Sequence, residues 1–302
     1  MLGPTGRPVV FGEVLFDCFE DGDKVLGGAP FNVAWHLAGF GADPVFVSRV
    51  GSDSLGERVV AAMGDWGMDV RGVQRDPAHP TGSVQVALTD GQPEFRILPD
   101  QAYDYIDAAT VAGALRGVSP ALLYHGSLST RNRISRKTLE GLRAAGIPAF
   151  VDINLRAPWW TREGLDALLQ GTRWLKLSDG ELAALTDPEA ADGADPVAAT
   201  RALRGRYGCE LVIVTQGEDG GLFVGPDGDG RIESAEVPVL VDSVGAGDAF
   251  SAVTILGLLR GWTLAPTFER AAAFAAHICG IRGATTRDRG LYDELLARWE
   301  GA

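Results

Sequence analysis

Asp242-Ser243-Val244-Gly245-Ala246-Gly247-Asp248-Ala249-Phe250 decides how this chain is read. The run before it, Val237 to Val241, predicts the end of a strand. The run after it, Ala249 to Leu259, predicts a helix apolar on nearly every side and therefore buried. A small-residue turn opening such a helix leaves backbone N–H groups without intrahelical partners at the positive end of the helix dipole. Together these make an anion site. Gly245 and Gly247, either side of Ala246, let a charged group approach the backbone closely. Asp248, in the first turn, is placed to take a proton from whatever attacks the bound anion. An anion cradle beside a base is the minimum equipment for phosphoryl transfer. Taken alone, the segment fits equally well as a capped turn with Asp248 an ordinary first-turn acid.

The rest of the chain gives this turn a setting. Val9 to Asp17 predicts a first strand, and Phe31 to Phe40 a helix after a glycine-rich turn. Val45 to Val50 and Val70 to Val73 are strand-like. Ser83 to Thr89 alternates apolar with small or polar residues, Asp90-Gly91 supplies a hairpin turn, and Glu94 to Leu98 returns. That hairpin predicts a half-exposed sheet. Further on, Leu122–Tyr124, Ala149–Val151, Arg173–Leu177 and Leu211–Val214 are short apolar strands separated by helix-length segments, the pattern of a parallel sheet wrapped by helices. Ligands of such sheets bind beyond the carboxyl ends of the strands. Polar residues gather there: Asp152, Asn154 and Arg156, then Ser178 and Glu181, then Thr215 and Gly217.

Composition narrows the function class. The 302 residues suffice for one large α/β domain, and 46% hydrophobic with 22% charged residues is ordinary for a globular protein. A formal charge of −13 argues against general binding to nucleic acid or anionic membranes, but not against a local ATP site. Cys18, Cys209 and Cys279 are far apart and odd in number, which supports neither a disulfide framework nor a zinc knuckle. No segment approaches the roughly 20 apolar residues of a membrane span, and Met1 to Arg7 lacks the pattern of a signal peptide. A soluble, cytoplasmic protein is expected.

A second glycine turn, Gly27-Gly28-Ala29-Pro30-Phe31-Asn32, enters the helix Val33 to Ala38. Asn32 either caps this helix or, with Gly27, Gly28 and Asp17 at the end of the first strand, hydrogen-bonds sugar hydroxyls. A carboxylate, an amide and a bare backbone suit a polyol better than an anion.

These residues bring the chain to a known family: it resembles the ribokinase-like (PfkB) carbohydrate kinases. Their first signature, Gly-Gly-x-x-x-Asn, is followed here by Gly41 and by Val50-Gly51-Ser52-Asp53-Ser54-Leu55-Gly56. Their second, Asp-Thr/Ser-x-Gly-Ala-Gly-Asp, is matched by Asp242 to Asp248. The resemblance implies an α/β fold, a three-layer α/β/α sandwich with a small β-sheet lid. It implies a single domain over residues 1–302, with the lid formed by segments near 12–30 and 80–100.

For the site it implies that Asp248 deprotonates the sugar hydroxyl that attacks the γ-phosphate of ATP. Gly245, Ala246 and Gly247 form the anion hole, and Arg156 adds electrostatic help. Asp17, Gly27, Gly28, Asn32 and Asn154 face the sugar; His125, at a strand end, either faces it too or is a hydrogen-bonded core histidine. Thr215-Gln216-Gly217-Glu218-Asp219-Gly220, with Lys176 and Ser178, lies by the nucleotide. Glu181 serves Mg²⁺, and Asp242 with the carbonyl of Val244 belongs to a monovalent-cation (K⁺) site. One departure stands out. The family often shows Asn-x-x-Glu where this chain has Ser178-Asp179-Gly180-Glu181, although Lys176-x-Ser178-Asp179-x-Glu181 is similar to the fructokinase form.

Phe11-Gly-Glu-x-Leu-x-Asp17, Gly27 to Pro30, His125-Gly-Ser127 and Asp152-x-Asn154-x-Arg156 are most similar to fructokinases. The 2-keto-3-deoxygluconate kinases share the last segment, but hold the substrate carboxylate with an arginine where this chain has Pro99. Arg96 is the candidate substitute. A homodimer paired through the lid edge is left open.

Other classes fit less well. There is no P-loop, no Gly-x-Gly-x-x-Gly after the first strand, and no metal-ligand spacing among His36, His79, His125 and His277. Gly225 to Gly230 resembles a calcium loop in composition only and reads as a hairpin turn. A sugar sensor without catalysis would have lost the base or the anion hole.

Overall fold

The first apolar run makes two strands. A Cβ on Gly12 would lie 2.5 Å from Cγ of Pro30, and its φ of 151° is one that side chains resist. The chain therefore turns at this glycine, ending β1 (Arg7–Phe11) and starting β2 (Leu15–Phe19) in a different sheet. Asp17 lies inside β2, not at the end of the first strand. The computed structural model of the protein describes residues 3–89, 92–186, 195–237 and 239–301.

Strands and helices are numbered in chain order. The large sheet has nine strands in the order β13-β12-β11-β10-β9-β8-β1-β4-β5. Besides β1 they are β4 (Val45–Gly51), β5 (Val73–Asp76), β8 (Pro120–His125), β9 (Ala149–Asp152), β10 (Trp174–Ser178), β11 (Leu211–Thr215), β12 (Gly221–Gly225) and β13 (Gly228–Ile232). From β5 through β11 every neighbour is parallel, and β12 and β13 close the edge as an antiparallel hairpin. That hairpin turns where the calcium-like glycine stretch lies. The strand expected at Val70–Val73 begins only at Val73. Among the described residues of the expected strand Val237–Val241 none is in a strand, and Val239, Leu240 and Val241 are more than half exposed, at 67%, 69% and 54%. The N–H groups of Val241 and Asp242 both donate to the carbonyl of Cys279 instead of to a neighbouring strand.

The period-two alternation of buried strands gives the sheet two apolar faces. Val10, Phe46, Leu122, Tyr124, Phe150, Trp174 and Ile213 share one core with α1 (Ala29–Gly39), α2 (Ser54–Asp65), α8 (Ala246–Arg260), α9 (Leu264–Cys279) and α10 (Arg289–Glu300). Val9, Val47, Leu123, Val151, Leu175 and Val212 face the opposite layer. That layer is α3 (Ala108–Ala114), α4 (Arg133–Ala144), α5 (Arg162–Leu169), α6 (Asp179–Leu185) and α7 (Pro196–Tyr207). The result is a sheet between two helical layers.

On the first face every residue from Asp248 to Gly257 is buried, as the apolar run predicts. Beside it Phe40 meets Phe274 and Tyr292 edge to face, and Phe40 with Trp299 and Phe274 with Tyr292 pack at a tilt. Removing one such ring costs about 3–5 kcal/mol. His36 sits in this cluster, its ring nitrogens 2.8 Å from Tyr292 Oη and 3.0 Å from the Ala284 carbonyl, and burial pushes its pKa down to about 4.

A second, four-stranded sheet has the order β3-β2-β6-β7, where β3 is Lys24–Gly27, β6 is Gly82–Thr89 and β7 is Gln92–Ile97. The expected turn at Asp90-Gly91 lies outside the described residues. This sheet arises at the carboxyl end of β1, so its strands stand over the edge where the parallel strands finish.

Candidate active site

Two glycine turns meet above that edge. Gly28 is the N-cap of α1, with φ of 110°, and a Cβ there would lie 2.9 Å from the carbonyl oxygen of Glu13. Asn32 does not cap the helix; it lies four residues in, its N–H donating to the Gly28 carbonyl. Its side chain is free to look outward, and Nδ2 donates to Asp248 Oδ2 at 2.8 Å. Asn32 Oδ1 and Asp17 Oδ2 lie 3.8 and 4.0 Å from the position a Cβ on Gly27 would take. Asp17, Gly27, Gly28, Asn32 and Asp248 are thus brought together.

Gly245 is the N-cap of α8 in a left-handed conformation, φ 84°, and Ala246, Gly247 and Asp248 form the helix's first turn. The N–H of Gly247 is therefore at the open end of the helix, beside that of Ala246, which reaches the Ser243 carbonyl at 3.4 Å. Asp248 is buried, and burial above all pushes its pKa up to about 7. The Asn32 hydrogen bond lowers it, Asp152 raises it, and Lys176 and Arg156 lower it. Asp17 is pushed up to about 6, again by burial, with Arg156 opposing. A carboxylate poised near neutrality is what a general base requires.

Beneath the anion turn sits a buried ion pair. Alternation along β9 and β10 turns Asp152 and Lys176 to the face of α8. Lys176 Nζ donates to Asp152 Oδ2 at 2.8 Å, and Ser251 Oγ donates to the same oxygen at 2.8 Å. Lys176 Nζ is also 3.4 Å from where a Cβ on Gly247 would lie. A fixed positive charge thus reinforces the helix dipole under the cradle. Ser251 escaped the sequence reading; its signal is its position three residues after Asp248, on the same face of the helix.

The other expected residues fall at the strand ends with different roles. Ser178 caps α6, and Glu181 completes a capping box with it. Glu181 Oε2 accepts from Ser178 N at 2.8 Å and Oε1 from Leu155 N at 2.6 Å. The Ser-x-x-Glu spacing that departed from the family's Asn-x-x-Glu is thus a helix-start signature. Glu181 also pins the loop carrying Asn154, whose φ is 46°, and Arg156, which is exposed and acts through its charge on Asp17 and Asp248. Thr215, Gly217 and Gly220 line the turn between β11 and β12, where Gln216 N donates to the Gly220 carbonyl. Asp242 ties two loops together, accepting from Val244 N at 3.0 Å and Gly283 N at 3.2 Å.

His125 is set apart from this group. Alternation places it with Leu123 on the α4 face, opposite Asp248. Its Nδ1 is 2.9 Å from the Gly126 carbonyl and its Nε2 is 3.0 Å from Arg143. It is fully buried, burial pushes its pKa down to about 3, and neither ring nitrogen is left for a ligand. Among the described residues no group of three or more His, Cys, Asp or Glu is arranged to hold a metal, and no helix is long and apolar enough to cross a membrane.

Comparison with known proteins agrees with this geometry. The model of the pfkB family carbohydrate kinases matches residues 14–289. The fructokinase of Klebsiella pneumoniae is 31% identical, over 94% of this chain and 94% of its own. The crystal structure of fructokinase with bound ATP from Xylella fastidiosa superposes with a TM-score of 0.83 over 98% of each chain, at 23% identity. That of fructokinase from Vibrio cholerae O395, in fructose, ADP and calcium ion bound form, gives 0.77 at 24% identity. It covers 96% of this chain and 99% of its own. Both structures share the ribokinase-like α/β fold. With the family match spanning both glycine turns, the chain belongs to the pfkB family of carbohydrate kinases.

Proposed function

We propose that this carbohydrate kinase is a fructokinase, transferring the γ-phosphoryl group of ATP to a primary hydroxyl of fructose. The observation that carries the reading is the convergence of Asp17, Asn32 and Asp248 on one side of the anion turn at Gly245–Gly247. Support for the sugar comes from the fructokinase relatives. In this reading Asp248 takes the proton of the hydroxyl as its oxygen bonds to the γ-phosphorus. The bond from that phosphorus to the bridging oxygen breaks, and ADP leaves. The first-turn N–H groups, with Lys176 beneath them, stabilise charge on the transferred group. Asp17 and Asn32 hold the sugar, and Arg156 steadies the carboxylates around it and the phosphates. The small sheet acts as a lid that excludes water and so limits ATP hydrolysis.

Mg²⁺ and K⁺ belong to the same reading. Glu181 keeps a lone pair on each oxygen beyond its two backbone bonds, which fits a water-mediated partner of Mg²⁺ better than a direct ligand. Asp242, a half-buried carboxylate, would hold a monovalent cation together with the carbonyl of Val244. When bound, Mg²⁺ neutralises the phosphates. A cytoplasmic setting with ATP as donor completes the proposal. The test is a coupled ADP-release assay over fructose, ribose, glucose, 2-keto-3-deoxygluconate and nucleosides, with and without K⁺. Fructose is expected to give the highest kcat/KM. Activity confined to the keto acid or to nucleosides would refute fructose while leaving the kinase intact.

A further inference from the structure

Around Asp248 the interior holds several polar side-chain atoms with no hydrogen-bond partner: Glu13 Oε2, Asn32 Oδ1, Tyr103 Oη, Tyr124 Oη, Ser129 Oγ and Arg131 Nη1. Such atoms are rare in folded proteins, because each costs about 1–3 kcal/mol when left unmet. These are neighbours. The charge of Glu13 is felt at Tyr103 and Tyr124, and Asp248, Arg156 and Arg131 act in turn on Glu13. The Arg131 guanidinium lies 5.2 Å from the Tyr103 ring centre, and Ser129 Oγ lies 3.4 Å from where a Cβ on Gly12 would be. Asn32, which turns its other atom to Asp248, joins this set to the sugar-facing group.

Glu13, Tyr103 and Arg131 are buried, Arg131 with only 6% of its side chain exposed. None of the three has a role in the phosphoryl-transfer step. Resting on the sugar-kinase reading above, we propose that Glu13, Tyr103 and Arg131 read the non-reacting hydroxyls of a neutral sugar. The donor and acceptor balance supports this. A hydroxyl both donates and accepts, so it can meet a carboxylate oxygen, a phenol and a guanidinium N–H in one place. A carboxylate only accepts. A hydroxyl there can donate to the Asn32 carbonyl oxygen, which a carboxylate cannot do. Asp104 holds Arg131 Nε at 2.8 Å and Nη2 at 2.7 Å, leaving Nη1 as the donor that points to no protein partner. Glu13 is pushed up to about 7, burial being the main cause. Near neutral pH it therefore offers either an acceptor or a donor to a hydroxyl.

Tyr103→Phe is the cleanest test. Its phenolic oxygen has no partner in the protein, so deleting it leaves folding intact or improved. The account expects a sugar KM raised roughly 5-fold or more, an unchanged KM for ATP and a nearly unchanged kcat. Glu13→Gln is expected to raise sugar KM roughly 10-fold or more, the scale of a lost charged hydrogen bond. It should also lose sensitivity to the monodeoxy analogue of the sugar that lacks the hydroxyl Glu13 reads. Folding of both variants is followed by thermal melting. If both fold and their sugar KM stays within twofold of wild type, the orphan atoms meet water alone and the proposal falls. A wild-type preference for 2-keto-3-deoxygluconate over neutral sugars also overturns it, while sparing the kinase. Wild-type protein that releases ADP with no sugar refutes the sugar-kinase reading itself.

Discussion

Asn32 and Asp248, 216 residues apart, share a 2.8 Å hydrogen bond from the amide to the carboxylate. That bond joins the two glycine turns into one site. It also opposes the burial that drives the Asp248 pKa up to about 7. Replacing Asn32 by Ala removes an interaction that favours the charged carboxylate, so the pKa of Asp248 should rise further. The acid limb of the kcat/KM profile for sugar should move to higher pH by about one unit, equivalent to 1.36 kcal/mol. A pH series on wild type and Asn32→Ala measures this directly. An unmoved acid limb would dissociate the bond from the base.

The same raised pKa makes a stability prediction. An acid whose folded pKa lies above its unfolded value contributes least when ionised. Its contribution is fully present below the unfolded pKa of about 4 and is lost as pH rises through the folded value near 7. Asp248→Asn removes that loss. Its Tm should exceed that of wild type at pH 8, with a much smaller difference at pH 5. A difference that shrinks as pH rises would contradict the sign.

How much of this was legible in the sequence varies by element. The apolar run after Asp248 foretold a buried helix, because no polar face was available to meet water. The strand before it was misread: Val237 to Val241 has strand composition, but the N–H groups of Val241 and Asp242 bond to the carbonyl of Cys279, a tertiary contact that periodicity does not reveal. His125 was placed in the site because strand ends carry function, yet alternation turns it to the other face. Reading Leu123, Tyr124 and His125 by parity would have shown this. Ser178-x-x-Glu181 is also a helix start, and its capping box was legible from the spacing. The bond between Asn32 and Asp248, and the orphan atoms around Glu13, depend on tertiary closeness that no local pattern encodes.

The buried pair of Lys176 and Asp152 separates structure from electrostatics. Lys176→Met alone leaves a buried carboxylate unpaired and should cost about 3–5 kcal/mol in denaturant unfolding. Lys176→Met with Asp152→Leu should recover most of that stability, since an apolar pair replaces an ionic one. Turnover should stay low in both, because the charge beneath Gly247 is gone. Recovered turnover in the double variant would show that Lys176 serves folding alone.

Gly245 admits no side chain. Its φ is 84°, and a Cβ would lie 2.3 Å from the Cβ of Ala284. Gly245→Ala should lose roughly 1–2 kcal/mol from the left-handed conformation alone, and more from displacing Ala284. The KM for ATP should rise as the first-turn N–H groups shift. Thermal melting and steady-state kinetics together test both effects. A variant with wild-type Tm would mean that the turn adapts more freely than its contacts allow.

The central claim is that Asp248 is the base that takes the hydroxyl proton. The most direct measurement is the single-turnover rate of sugar-dependent ADP formation by Asp248→Asn, with sugar and ATP both saturating. The isosteric amide retains size and polarity but accepts no proton. The account predicts a rate lower by about 10²–10⁴, the range for a lost general base, with sugar still bound. A folded variant that turns over within a fewfold of wild type would contradict it.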